Sequence, residues 1–161
     1  MHEIPSYILA GGTSSRFGTD KARAVVNGLP LILHVARSIS SLTSSITVVA
    51  KQAAEYEDLG LRTIPDRIRG LGPLGGLFTA LFDCTESHWL LLMSCDWFGI
   101  RNAWLEMLLA SVRDDAQVVL FRGEKWEPFP ALYKTSLRKP VERCIRERRL
   151  AIWRLVEAVP H

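Results

Sequence analysis

LAGGTSSRFGTDKA, residues Leu9 to Ala22, decides how this chain is read. A short apolar run, Tyr7 to Ala10, has the character of a buried strand. It empties into small residues, the cation Arg16, the turn residue Gly18 and then Asp20-Lys21. Glycines at 11 and 12 let the main chain come close to a ligand and reach positive φ without steric cost, so backbone N–H groups can converge on anionic oxygens. Arg16 and Lys21 add full positive charge to the same place. The stretch therefore reads as a phosphate cradle, longer from Gly11 to Lys21 than a plain strand-to-helix connection needs. It matches neither common nucleotide motif: the glycines at 11, 12 and 18 do not give Gly-x-Gly-x-x-Gly, and Lys21 follows Asp20 rather than the Gly of a P-loop.

Outward from the cradle, strand and helix patterns alternate. Val25 to Gly28 leads through a turn, and Leu31, Val35, Ile39 and Leu42 recur at helical spacing from Pro30 to Ser41. Ile46 to Ala50 is rich in β-branched residues and predicts a second strand, Ala53 to Leu59 a short helix closed by Gly60, and Leu61 to Ile64 a third strand ending at Pro65-Asp66. A second glycine cluster, RGLGPLGGLFTAL from Arg69 to Leu81, reads as a loop through Gly76 with a helix over Leu77 to Phe82. The unbroken apolar run Trp89 to Met93 predicts a central strand, and it delivers Ser94-Cys95-Asp96 at its carboxyl end. A helix lined by Trp104, Leu105, Leu108, Leu109 and Val112 follows, then a strand at Val118 to Phe121, a turn at Gly123 to Glu127, and a further or edge strand at Phe129 to Tyr133. From Leu137 the pattern is helical, amphipathic and basic.

This alternation predicts an α/β fold, a three-layer α/β/α arrangement with a mainly parallel, mixed sheet, Rossmann-like in layout. No linker or repeat divides the chain, so residues 1–161 are expected to form one domain. Ligands of such sheets sit beyond the carboxyl ends of the strands. The cradle, Asp66, the second glycine cluster and Asp96 all fall at such ends and can share one pocket.

Bulk properties narrow the function. At 161 residues and 48% hydrophobic, the chain has material for a full core. No apolar run approaches the roughly 18 residues of a membrane helix. No basic region precedes Ile4, so no signal peptide is expected. Three cysteines, Cys84, Cys95 and Cys144, lack metal-site spacing and favour a reducing cytoplasm, and the four histidines are scattered. The net charge of +3 is uneven: Arg138 to Arg154 holds seven Lys/Arg against two Glu, leaving the remainder net acidic. A global nucleic-acid coat is not indicated.

A phosphate cradle with an isolated strand-end Asp suggests a nucleotide bound with Mg²⁺, a cation that needs few protein ligands. Asp96 is the candidate metal ligand. Attack of a phosphate or hydroxyl on the α-phosphorus, expelling pyrophosphate, requires positioning and charge neutralisation more than a protein nucleophile. Lys21 would neutralise the phosphates and Arg16 the leaving pyrophosphate. A strand-end Asp96 also suits a helix N-cap, and Asp66 beside Pro65 suits a turn.

LAGGTSSRFGTDKA, Asp66, GPLGGL and the strand ending in Cys95-Asp96 together resemble the molybdenum cofactor guanylyltransferases, which join GMP from GTP to molybdopterin. The resemblance runs from about residue 7 to 100, with weaker echoes at PFPALYK, residues 128–134, and in the basic segment after it. LAGG and GPLGG lie closer to the guanylyl-transferring branch than to the cytidylyl-transferring one. It implies a nucleotide-binding α/β fold, Mg²⁺ dependence, GTP and molybdopterin as ligands, and molybdoenzyme maturation proteins as further partners. It also implies a GTP site using the backbone of Leu9, Ala10 and Gly11 with Lys21, Asp66 and Asp96. An Asp66 carboxylate accepting from guanine N1–H and N2–H would explain base preference. The sequence departs from the family pattern in three places. Phe98 stands where a CDxP turn has proline, Ile46 to Gln52 holds no Asn, and no Asn-x-Asn-Thr-Pro segment follows the basic region. Cytidylyl or sugar-phosphate transfer, and a shortened inactive homologue that binds GTP as a regulator, remain alternatives. The basic segment could meet the pterin phosphate or a partner protein, or be a solvated helix face.

Overall fold

Residues 4–11 and 20–161 are described by a computed structural model. β1 (Ser6–Leu9) is the first strand of a six-stranded sheet. A two-stranded ribbon, β2 (Val25–Val26) and β3 (Leu29–Pro30), turns on Asn27 and Gly28, whose φ of 49° and 76° suit the tight hairpin that Asn-Gly favours. α1 (Leu31–Ile39), β4 (Ile46–Ala50), β5 (Arg62–Pro65), α2 (Gly72–Asp83) and β6 (Trp89–Ser94) follow, then α3 (Asn102–Ala110), β7 (Val118–Arg122), β8 (Trp126–Lys134), α4 (Arg138–Arg146) and α5 (Ile152–Glu157).

The sheet order is β5-β4-β1-β6-β8-β7, with β5, β4, β1 and β6 parallel and β8 antiparallel to both its neighbours. Strand periodicity explains its burial. Ile8, Val48, Ala50, Leu91 and Met93 face one layer with α1 and α3, whereas Tyr7, Val49, Leu90 and Leu92 face the other with α2, α4 and α5. Covered on both faces, the central strands are continuous apolar runs instead of alternating ones. The α/β fold and its mixed, mainly parallel sheet are therefore as the sequence predicts.

Chain direction across the sheet reverses at β1: β4 and β5 lie on one side and β6 on the other. The crevice beyond the carboxyl ends of β1 and β6 is thus the topological switch point, where open α/β sheets bind ligands.

Four elements differ from their sequence-based expectations, one being β8, which starts at Trp126 inside the turn expected over Gly123 to Glu127. α2 begins at Gly72, five residues before the expected Leu77, because Pro73 is tolerated in a first helical turn and Gly75 and Gly76 are packing residues rather than loop residues. A β-carbon on Gly75 would lie 2.8 Å from Leu71 Cβ, and one on Gly76 would lie 2.6 Å from Leu9 Cδ2. The basic C-terminal segment is two helices, broken where Arg148 takes φ of 58°. Ala53 to Leu59 forms turns and one 3₁₀ turn at Glu57–Leu59, closed by Gly60 at φ 75°.

Candidate active site

The last residues of β1 enter the switch-point crevice on a fixed backbone. Ala10 N–H donates to Val49 O at 2.9 Å, and Leu9 O accepts from Cys95 N–H at 3.1 Å, so the β1 exit is tied to both neighbouring strands. Leu9 also lays its side chain over Gly76 of α2, which fixes the helix against this exit. Asp66 follows β5, and its N–H donates to Ala50 O at 2.8 Å. Its Oδ2 lies 2.8 Å from where a Gly11 β-carbon would be, so the carboxylate closes directly over the Gly11 backbone. Burial pushes the Asp66 carboxyl above its ordinary pKa, opposed in part by Arg69. A half-buried carboxylate so placed is poised to accept hydrogen bonds from a ligand.

Lys21 and Asp96 come together from distant parts of the chain. Lys21 Nζ donates to Asp96 Oδ2 at 2.9 Å, with about half of each side chain exposed (55% and 42%). Ser94 Oγ donates to the other oxygen, Oδ1, at 2.5 Å. Partial burial alone would raise the Asp96 pKa. The hydrogen bonds from Ser94 and Lys21, with the Lys21 charge, outweigh it and hold the carboxyl below its ordinary range. The Asp96 partner in turn raises the Lys21 ammonium pKa. Cys95, next to Asp96 in the chain, is pushed up to about 11 by burial and the neighbouring Asp96 and Asp20 charges, so at neutral pH it is a thiol.

The turn after Asp96 closes without a proline. Trp97 N–H donates to Ser94 O at 3.2 Å and Phe98 N–H to Asp96 O at 2.9 Å, a donor that proline lacks. Phe98 packs edge-on against His34, ring centroids 4.9 Å apart.

The structure thus places Leu9, Ala10, Gly11, Lys21, Asp66 and Asp96 at the carboxyl-end side of the parallel strands, with Asp66 on Gly11 and Lys21 on Asp96. Gly12 and Arg16 lie outside the described residues. Sequence reading passed over Ser94, Asp20 and Tyr56. Ser94 ends β6 two residues before Asp96, and that short spacing is the available signal. Asp20 stood within the quoted loop with no role beyond it, and Tyr56 carried no signal.

A family model described as a MobA-like NTP transferase domain matches residues 6–161. The chain belongs to the MobA-like NTP transferase family. A relative from Flavobacterium johnsoniae, named "Probable molybdenum cofactor guanylyltransferase", is 30% identical over 162 residues, covering 100% of this chain and 84% of the relative. One of the same name from Nostoc is 33% identical over 141 residues, covering 83% of this chain and 67% of the relative. Among solved structures, a protein of Aquifex aeolicus aligns with a TM-score of 0.82 at 25% identity, over 96% of this chain and 82% of that one. Molybdopterin-guanine dinucleotide biosynthesis protein A from Archaeoglobus fulgidus aligns with a TM-score of 0.78 at 22% identity, over 98% and 80%, a likeness of fold.

As a MobA-like transferase, the chain is a nucleotidyltransferase. Nucleotidyl transfer needs a cation against the triphosphate, a carboxylate able to take a divalent ion, and a positioned base, with little covalent participation by the protein. Asp96 is an accessible, ionised oxygen donor, the kind of ligand of which magnesium takes one or two from a protein. No helix among the described residues is long and apolar enough to cross a membrane.

Proposed function

We propose that residues 1–161 act as one unit that transfers GMP from GTP to the terminal phosphate of molybdopterin, in a reducing cytoplasm. The observation that carries this reading is the Lys21–Asp96 pair, a strongly basic ammonium and an ionised carboxylate 2.9 Å apart at the switch point. The names of the relatives supply the acceptor and the nucleotide.

In this reading a phosphate oxygen of molybdopterin forms a bond to the α-phosphorus of GTP. The bond from that phosphorus to the β-phosphate oxygen breaks, and pyrophosphate leaves with the electron pair. The backbone of Leu9, Ala10 and Gly11 lines the triphosphate, and Gly12 is assigned to nucleotide binding on its sequence motif alone. Lys21 neutralises phosphate charge, and Arg16 neutralises the leaving pyrophosphate. Asp66 accepts from guanine N1–H and N2–H, so that a base unable to donate there leaves a half-buried acceptor unmet, at about 1–3 kcal/mol. Asp96 would hold magnesium, which supplies charge neutralisation at phosphoryl oxygens when bound.

The test is thermal unfolding with GTP, CTP, ATP or UTP, each with Mg²⁺, followed by pyrophosphate release with molybdopterin. A nucleotide at 100 times its Kd adds about 2.7 kcal/mol. For a domain of this size that is a rise of about 5–10 °C in Tm. GTP alone is expected to produce it and to support release. A shift with CTP instead reassigns the nucleotide, and a GTP shift without release makes the chain a binder.

A further inference from the structure

We propose that Tyr56 and Asp20 are a positioning pair for Lys21, an inference that rests on the proposed function. Lys21 opens a 3₁₀ turn, Lys21–Arg23, and Asp20 caps it, its Oδ1 accepting from Ala22 N–H at 3.0 Å. The other oxygen, Oδ2, accepts from the Tyr56 hydroxyl at 2.7 Å. Tyr56 is fully buried in the connection between β4 and β5. Arg23, on the far side of Lys21, reaches the same connection: it donates to both Asp58 oxygens at 2.7 and 2.9 Å and to Glu55 O at 2.5 Å. Its guanidinium lies 5.1 Å from the Tyr56 ring centroid. The backbone of Lys21 is therefore held on both sides by one segment, while its side chain points to Asp96. A lysine stem has four rotatable carbons, and where its ammonium can reach is set by where its backbone is fixed.

The burial pattern argues for positioning over stability. Asp20 is exposed, so water can satisfy Oδ2 once the phenol is gone, and a phenylalanine ring fills the Tyr56 site. The fold has little need of this hydrogen bond, whereas the Lys21 turn loses its direct link through Asp20 to the buried Tyr56. Burial and the Asp20 bond both raise the Tyr56 pKa, so the phenol remains a donor throughout the physiological range.

The experiment is a double-mutant cycle read as GTP affinity in Mg²⁺ by calorimetry, with Tyr56→Phe and Lys21→Ala singly and together. Tyr56→Phe is expected to raise Kd about tenfold, as for one hydrogen bond to a charged group, with Tm nearly unchanged. In the Lys21→Ala background it is expected to do nothing further. Equal loss in both backgrounds, or none in either, overturns the pair while leaving the proposed function standing. If Tyr56→Phe does not fold, Asp20→Asn in the same cycle decides. A wild type that binds no GTP, or a Lys21→Ala variant that binds it as tightly, overturns the role of Lys21 and this inference with it.

Discussion

One carboxylate oxygen of Asp66 lies 2.8 Å from the point that a β-carbon on Gly11 would occupy. Real β-carbon contacts are not that short, and the Asp66 main chain is tied to β4 through Ala50, so the carboxylate itself must turn away from any side chain at position 11. Gly11 is needed here for close approach and not for an unusual φ. Gly11→Ala should therefore leave stability within about 1 kcal/mol of wild type, because the half-buried Asp66 carboxylate can turn aside, and weaken GTP binding about tenfold or more. In an Asp66→Ala background the same substitution should have no further effect on Kd. Additive losses would show that Gly11 acts on the ligand independently of Asp66.

Asp66 itself should trade stability for binding. Burial raises its folded-state pKa, so the folded protein holds that proton more tightly than the unfolded chain does. This group favours folding below the ordinary carboxylate pKa, and that contribution is lost as pH rises through the raised value. At neutral pH the cost of desolvating the ionised form is fully present. Asp66→Asn should thus hold or raise Tm at pH 7 while weakening GTP binding, and the part of the wild-type loss of affinity on acidification that exceeds protonation of the GTP phosphates themselves should vanish in the variant. Asp96 cannot supply that acid limb, because its own pKa is lowered. Titrating GTP affinity from pH 4 to 8 in both proteins separates the two carboxylates.

Asp96→Ala should separate chemistry from folding. The ion pair with Lys21 is about half exposed, and pairs of this kind contribute only about 0–1 kcal/mol to stability. Tm should move little. Pyrophosphate release should fall about a hundredfold or more, because a divalent ion at the reacting phosphate is worth several kcal/mol. A variant that turns over at the wild-type rate removes Asp96 from the reaction.

Much of this was readable beforehand, for physical reasons that differ by element. The apolar runs Ile46–Ala50 and Trp89–Met93 identify buried parallel strands because both faces are covered, and Asp66 and Asp96 stand at strand ends, where the ligands of such sheets sit. What escaped depends on tertiary neighbours. Tyr56 looks like any aromatic in a short connection until Asp20 is seen 2.7 Å away, and Ser94 looks like strand punctuation until its hydroxyl is found on Asp96. The GPLGG run misled because glycine argues for a loop locally, whereas here it answers Leu9 and Leu71, one distant in sequence and one in the preceding turn.

That last point carries a prediction whose sign opposes helix propensity. Replacing a helical glycine with alanine favours a helix by about 0.8–1.0 kcal/mol when nothing is touched. At Gly75 the new methyl would stand 2.8 Å from Leu71 Cβ and 3.4 Å from Ile68 O, atoms close to or on the backbone that a rotamer change cannot move. Overpacking of this kind costs about 1–3 kcal/mol and should win. Gly75→Ala is expected to lower Tm by several degrees. At Gly76 the obstacles are the flexible ends of Leu9, which can swing aside, so Gly76→Ala should be milder on Tm. It should act on GTP affinity instead, because Leu9 forms the β1 exit that lines the site. Measuring Tm and Kd for both variants tests the distinction, and equal effects on both quantities would mean that the two glycines only space one helix from one sheet.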